Sequence, residues 1–451
     1  MKTEKFIPKV TVEEIFKKAK SEGVEQVEIY IIEGKNVSVE VKAQEPEAFE
    51  DAVFSGYGIR VIYNNRLGFS YSTNPDEAGN VLLKAIESSR FVSSDEYLSL
   101  PEPSGFHHNI EIYDPEIENT GKDFILNAAI ELEGSALSFD RRIKKTRKAS
   151  VALSKVNTTV LNSLGMNASY ASTAITAQIM VVAEEAGDAQ SAWEFEGSRF
   201  LKDLSFKDIG QRAAKKAISL LGSRRLSPRK AAVLFDPVVA SEFLSFLSSS
   251  FLADQVIKGK SMLAGRLDER VFSPLIDIID NALLPRRLGS RPFDAEGVTS
   301  RINNLISAGR LQGYLHNTYT ARRLSAKNTS SAFRHGYTDV PSVGISNLYL
   351  APSEKTRTVP PSELMASEPG MLYVLDVMGM HTGNPVTGDF SVGVSGLWIE
   401  KGKPVFPVRE VMIAGNVIEL FGKVIAIGDD LRFYGNTGSP HILFRDIDIS
   451  G

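Results

Sequence analysis

Polar chemistry is concentrated most densely in Met378–Gly402, MGMHTGNPVTGDFSVGVSGLWIEKG. Glycines at 379, 383, 388, 393 and 396 allow positive φ and close backbone approach, while His381, Thr382, Asn384, Thr387, Asp389 and Ser391 supply donors and acceptors. Such a loop, with Gly383 and Gly388 at its bends, can cradle a peptide or an anion. A set of tight turns between short strands would use the same residues. The six histidines, at 107, 108, 316, 335, 381 and 441, include no two at helical ligand spacing, so each reads as a surface or packed histidine. Glu194 and Glu196 would share one strand face, as paired acids do in glycosidases. With no cleft in view, an exposed strand face is the plainer reading. Arg141, Arg142, Lys144, Lys145, Arg147 and Lys148 put six cations in eight residues, enough for a local phosphate patch. A solvated strand edge, where lysine also discourages edge-to-edge pairing, is the preferred reading.

What is missing narrows the chemistry further. No GxxxxGK[ST], GxGxxG, GxSxG or HExxH occurs, which disfavours nucleotide-dependent and hydrolase-fold enzymes. The chain has no cysteine, which excludes disulfides, thiolate nucleophiles, iron-sulfur clusters and any metal site needing a Cys ligand. Lys and Arg number 51 against 55 Asp and Glu, a net charge of -4, so the surface as a whole offers no footprint for nucleic acid or an anionic membrane. The start, MKTEKFIPKVTVEEIFKKAK, carries lysines without an apolar core, and the longest apolar run, around Ile179 to Ala183, is far below the ~20 residues of a membrane span. A cytoplasmic protein is expected.

The elements that must position these residues read as an α+β chain of several domains, since 451 residues can bury large cores. Thr11 and Glu14 suggest a capping box for a first helix that Gly23 stops. VEQVEIYIIE, VSVEVKA, YGIRVIY and LGFSYST read as four strands, the last two joined in a hairpin at Asn64, Asn65 and Arg66. Asn74 and Pro75 open a helix burying Ala78, Val81, Leu82, Ala85 and Ile86. A helix from Lys122 to Glu133, strands near Lys144–Leu164 and Ala168–Glu184, WEFEGS and a helix from Asp208 to Leu221 repeat the pattern. NNRLGFSYST and NSLGMNASYAST echo each other and suggest a duplication. Two smaller α/β units, 1–110 and 111–222, are thus expected before a β-rich domain over 230–451, whose one long helix starts at the cap pair Asp236 and Pro237 and runs through Leu252.

HTGNPVTGDFSVGVSGLWIEKGKPVFPVREVMIAGN resembles the C-terminal signature of the TldE/PmbA branch of the TldD/PmbA family, N-x-x-TGDFS-x-G-x-x-G-x-WIE-x-G followed by PV and IAGN. SNLYLAPS (Ser346 to Ser353) and IAIGDDLRF (Ile425 to Phe433) resemble two further segments of that family. The likeness is dense from about Phe235 onward and thin before it. TldD proteins resemble metallopeptidases with HExxxH on a helix early in the C-terminal domain and a later cysteine as third ligand. By position after Asp236 and Pro237, the matching residues here are Ser241, Glu242, Phe243, Leu244, Ser245 and Phe246, so only the glutamate remains. The resemblance therefore implies no cofactor and no metal on this chain. It implies a subunit that associates with a zinc-bearing TldD-like partner, or pairs with itself when isolated, and shapes a cleft for unfolded or flexible peptides. Two alternatives stand beside it: a binding protein acting on gyrase or nucleic acid through Arg141 to Lys148, and an enzyme using His381 and Asp389 without metal.

Overall fold

The structure, a computed structural model, describes residues 9–103, 105 and 108–451. Helix α1 (Lys9–Ser21) precedes strands β1 (Gln26–Lys42), β2 (Glu45–Tyr63) and β3 (Arg66–Ser72), and helix α2 (Ala78–Ser89) follows. After the short α3 (Pro115–Asn119), the order recurs as α4 (Lys122–Leu137), β4 (Ile143–Asn162), β5 (Asn167–Glu185), β6 (Asp188–Ser198) and α5 (Phe206–Ser219). All six strands join one antiparallel sheet in the order β3-β2-β1-β4-β5-β6, with β1 and β4 hydrogen-bonded side by side at its centre.

Strand alternation decides what each face of this sheet covers. On β1 the odd-numbered Val27, Ile29 and Ile31 pack under α1 and α2, and Val39 and Val41 pack under α4 and α5. The even-numbered Tyr30 and Ile32 point the other way, into a cluster with Phe293. Helices thus back one face, and the C-terminal region docks on the other.

That region begins with β7 (Arg229–Phe235), α6 (Pro237–Ser248) and α7 (Ala253–Ile257). There follow β8 (Ile276–Asn281), β9 (Ile302–Ser307), β10 (Arg310–Leu311), α8 (Thr318–Arg323), β11 (Ala332–Phe333), β12 (Ser342–Val343), β13 (Leu348–Pro352) and α9 (Pro361–Ala366). The chain ends with β14 (Gly370–Met378), β15 (Asp389–Glu400), β16 (Lys403–Asn416), α10 (Val417–Gly422), β17 (Val424–Ile427), β18 (Arg432–Tyr434), β19 (Thr437–Ser439) and β20 (Ile442–Ser450). Two six-stranded sheets result, β10-β9-β8-β13-β19-β18 and β16-β15-β14-β7-β20-β17. In the second, β16 also pairs with β20, so five strands close into a ring. Phe243, Leu244 and Leu247 of α6 are fully buried in the core these sheets share. The content, 24% helix and 42% strand with a β-rich C-terminal region, is the expected α+β class. Among the described residues no helix is long and apolar enough to cross a membrane.

Four local expectations are corrected. The first unit has three strands and not four, because Glu33–Asn36 is paired on both sides, with β2 and with β4, and this two-sided pairing overrides the turn chemistry of Gly34. Helix α1 already includes Lys9, so Thr11 lies inside it rather than capping it. Helix α6 stops at Ser248, where a 3₁₀ turn over Ser249–Phe251 takes over. The two similar peptides occupy the β2–β3 and β4–β5 hairpins, which are not equivalent in the repeated order; the counterpart of β2–β3 is the β5–β6 hairpin. Element order carries the repeat, and the echo reflects shared turn chemistry.

Candidate functional site

Asp236 caps α6 by accepting a hydrogen bond from Val238 N at 3.2 Å, with Pro237 in the first turn. The same carboxylate is buried and does more than cap. Tyr373 Oη lies 2.8 Å from its Oδ2 and 2.9 Å from His441 Nε2, and His441 Nδ1 lies 2.6 Å from Asp430 Oδ2. Burial and the neighbouring Asp236 push the Tyr373 phenol well above its ordinary value, so it remains a neutral hydroxyl whose single proton serves one partner at a time. Burial alone would raise Asp430, but the hydrogen bond from His441 holds it below the usual carboxylate range. Lys216 of α5, 3.5 Å from Asp236 Oδ1, ties this row to the N-terminal sheet.

Glu194 of β6 completes the junction. The expectation of an exposed strand face fails for it, because the side chain is 0% exposed and lies 3.1 Å from Arg432, 3.4 Å from Lys216 and 3.7 Å from Arg212. Helix α5, through Arg212 and Lys216, and the docked C-terminal region, through Arg432, together cover a position that alternation alone would leave to solvent. Glu196, by contrast, is partly exposed and paired with Arg212.

Two cavities open along this junction. One, about 380 Å³, is lined by Arg212, Lys216, Asp236, Tyr373, Leu397 and Arg432 among others. The other, about 320 Å³, is lined by Val238, Ser241, Glu242 and Ser245 of α6 as its floor, by Trp193 and Phe195 of β6, and by Tyr434, Gly435 and Thr437. The floor residues are spaced to share one helix face. Burial, then repulsion from Asp376, pushes the Glu242 carboxyl up to about 7. Burial also raises Asp376, against the pull of Trp193 and Lys216. The hydroxyls of Ser241 and Tyr434 are buried beside this cavity without a hydrogen-bond partner.

Most of the polar run near the C-terminus lies outside these cavities. Its loop spans only 379–388, since Asp389 and Ser391 already belong to β15. His381, Thr382, Asn384, Thr387, Asp389 and Ser391 are exposed, whereas Gly388 is buried. Their groups largely serve the turn: Asn384 Oδ1 accepts from Val386 N at 2.9 Å, Thr387 donates to Asp389 at 2.7 Å, and Asn416 donates to Asp389 at 3.0 Å. Hydrogen bonds from Asn416 and Thr387 hold Asp389 below the ordinary range. Gly388 bends the chain at φ +86, and a Cβ at Gly383 would meet the Phe246 ring at 2.9 Å. The loop therefore rests on the end of α6.

Of the described histidines, only His441 joins the buried row. His316 is buried, with its pKa lowered by that burial. His335 meets the Phe333 ring edge-on at 5.0 Å. His108 is half-buried and His107 lies outside the described residues. The basic run sits where β4 extends past β1 and has β5 on one side only. Three of its six cations meet carboxylates, Arg142 with Asp140 and Glu185, Lys145 with Glu184, and Lys148 with Glu40. Sequence reading missed Trp193, Lys216, Tyr373, Tyr434 and His441, which come from five separate elements or turns. The one available hint was Asp430, inside the quoted IAIGDDLRF segment.

A helix-backed sheet docked on a β-rich region, with polar cavities along the seam, is an architecture with known parallels. A protein of Thermotoga maritima named as a proposed modulator of a DNA gyrase superposes with a TM-score of 0.90 at 25% identity, covering 98% of this chain and 99% of that one. TldE from Thermococcus kodakarensis shares the fold with a TM-score of 0.89 at 22% identity, covering 98% and 100% of the two chains. Residues 27–93, 115–221 and 228–451 match, in turn, domain 1, the central domain and the C-terminal domain of the PmbA/TldA metallopeptidases. The class is thus metallopeptidase-related. A PmbA-homologue metalloprotease of Buchnera aphidicola subsp. Acyrthosiphon pisum is 30% identical over 435 residues, 94% of this chain and 93% of that one. The chain belongs to the PmbA/TldD family.

The family description implies a catalytic metal, and the residues here do not fit one. Ser241 is buried with an orphaned hydroxyl, Phe246 packs against the core, and no three His, Cys, Asp or Glu side chains gather at metal-binding distance among the described residues. No step of chemistry is assigned through a metal on this chain.

Proposed function

We propose that this chain is the non-metal, TldE-type subunit of a cytoplasmic peptidase pair, in which a TldD-like partner supplies the zinc and this chain shapes the cleft for unfolded or flexible peptides. The observation that carries this reading is the face of α6. Ser241, Glu242 and Ser245 line an open cavity at the seam, in a family of metallopeptidases, without the side chains that would hold a metal. Glu242 alone has no Lewis acid with which to activate water. The polar loop 379–388 rests on the end of the same helix and stands beside the cleft as a second peptide contact. The overall charge of -4, and the pairing of Arg142, Lys145 and Lys148 with carboxylates, weigh against a role on nucleic acid.

The test is metal analysis with peptidase assays on this chain, on a TldD-like partner and on their mixture, with sizing of each to detect self-pairing. The expected result is no stoichiometric zinc and no hydrolysis from this chain alone, and faster hydrolysis by the mixture than by the partner. Zinc near one per chain with activity alone overturns the proposal. An inert mixture shifts the reading to a regulatory binding protein.

A further inference from the structure

We infer that the cavity over α6 takes the cationic side chain of a lysine or arginine in a bound peptide, with Trp193, Phe195 and Tyr434 as aromatic walls and Glu242 as counter-ion. This rests on the peptide-cleft reading and names the residue class that the cleft selects.

Size is the first argument. At about 320 Å³ the cavity lies near the lower end of the ~300–1,000 Å³ of small-ligand pockets, room for a side chain rather than a large cofactor. Wall chemistry is the second. Trp193 and Tyr434 meet edge to face with ring centroids 6.0 Å apart, a fixed aromatic corner, and aromatic rings attract cations while their apolar surface accepts a methylene stem. Charge is the third. Among the described residues Glu242 is the one carboxylate lining the cavity, no lysine or arginine lines it, and the charge acting on Glu242 is the repulsive Asp376. Two fully buried carboxylates in this molecule are supplied with cations, Glu194 with Arg212, Lys216 and Arg432, and Glu28 with Arg60 and Arg334, and a third, Glu133, with amide donors from Ala43 and Gln44. Glu242 lacks that compensation, and a cationic ligand provides it. A neutral ligand would leave the carboxyl uncompensated, and an acidic one would be repelled.

The experiment uses the isolated full-length chain and calorimetric titration at pH 7.5 with acetylated, amidated, unstructured peptides that differ at one position: lysine, arginine, norleucine or glutamate. Lysine and arginine peptides are expected to bind at least about tenfold more tightly than the norleucine peptide, with glutamate weakest. Glu242→Gln should cut the lysine-to-norleucine ratio at least about threefold, leaving the part due to the aromatic walls, while norleucine binding stays as it was. Trp193→Leu should weaken the cationic peptides most. Equal binding of lysine and norleucine by the wild type, discrimination undiminished in Glu242→Gln, or no binding of any peptide overturns the inference. Glu242→Gln removes an uncompensated charge at nearly constant shape, so the variant folds. Because the readout needs neither partner nor hydrolysis, an inert mixture with intact discrimination refutes the pairing and leaves the pocket standing.

Discussion

Two carboxylates on either side of the seam receive opposite treatment, and each predicts its own response. Glu242 is expensive to ionise in the folded chain: its carboxyl is held at about 7 against the usual 4.5. Below pH 4.5 both folded and unfolded chains keep the proton and the group is neutral in its effect. As pH rises toward 7 the unfolded chain ionises first, so the folded state loses stability, and the loss levels off above 7. Glu242→Gln should therefore stabilise the protein at pH 8 by of the order of 1 to 2 kcal/mol and hardly at pH 4.5, the figure kept low because Glu242 is only half-buried. Urea denaturation at the two pH values reads the difference, and an equal effect at both would place the side chain in free solvent. Glu194→Gln should do the reverse, costing about 2 to 3 kcal/mol by leaving Arg212, Lys216 and Arg432 without their shared partner. Nothing in the local sequence separates these two glutamates, since Glu194 is covered jointly by α5 and by Arg432, which lies more than two hundred positions later.

At the scale of elements, the β1–β2 hairpin shows how a distant helix can fix a turn. Ala43 and Gln44 both hold positive φ, 53° and 65°, a conformation unfavourable for residues with a Cβ. Glu133 of α4 compensates by accepting from Ala43 N at 3.0 Å, Gln44 N at 2.6 Å and Gln44 Nε2 at 2.8 Å. Glu133→Ala is expected to cost about 2 to 3 kcal/mol and to speed amide exchange at both turn residues; unchanged exchange would show the turn to be self-sufficient. Close approach also limits β15, where a Cβ at Gly396 would lie 1.9 Å from the Tyr373 carbonyl oxygen. Gly396→Ala should force β14 and β15 apart and cost at least about 1 to 3 kcal/mol in thermal or chemical denaturation. Helix α2 and the β2–β3 hairpin were legible beforehand because their signals are local: the Asn74–Pro75 start, the buried stripe from Ala78 to Ile86, and Asn64 and Asn65 at φ 50° and 54°. The single long β1 was not, because its continuity comes from partners on both sides.

Across the whole molecule, a buried ionic clamp joins the N-terminal sheet to the C-terminal region. Glu28 of β1 lies between Arg60, at 2.6 Å, and Arg334, while Arg60 reaches Glu296 at 3.0 Å. Burial alone would raise Glu28, but the two guanidinium groups hold its carboxyl below the usual range. Glu296 in turn accepts from Thr318 N at the start of α8, 2.9 Å away. Arg334→Met should cost about 3 to 5 kcal/mol, with amide protection lost first on the sheet face around Tyr30, whereas a loss confined to Arg334's own loop would mean that the clamp does not join the two regions. By itself the sequence determined the α+β character, the repeated helix-strand order and the family likeness, because each of these is carried by neighbours along the chain. Only the tertiary structure decided that Trp193, Glu242 and Tyr434 enclose one cavity, that His441 joins Asp236 through Tyr373, and that Glu194 is buried. Those contacts bring together residues from strands and helices far apart in sequence, and side-chain burial is a property of the docked surfaces rather than of either segment alone.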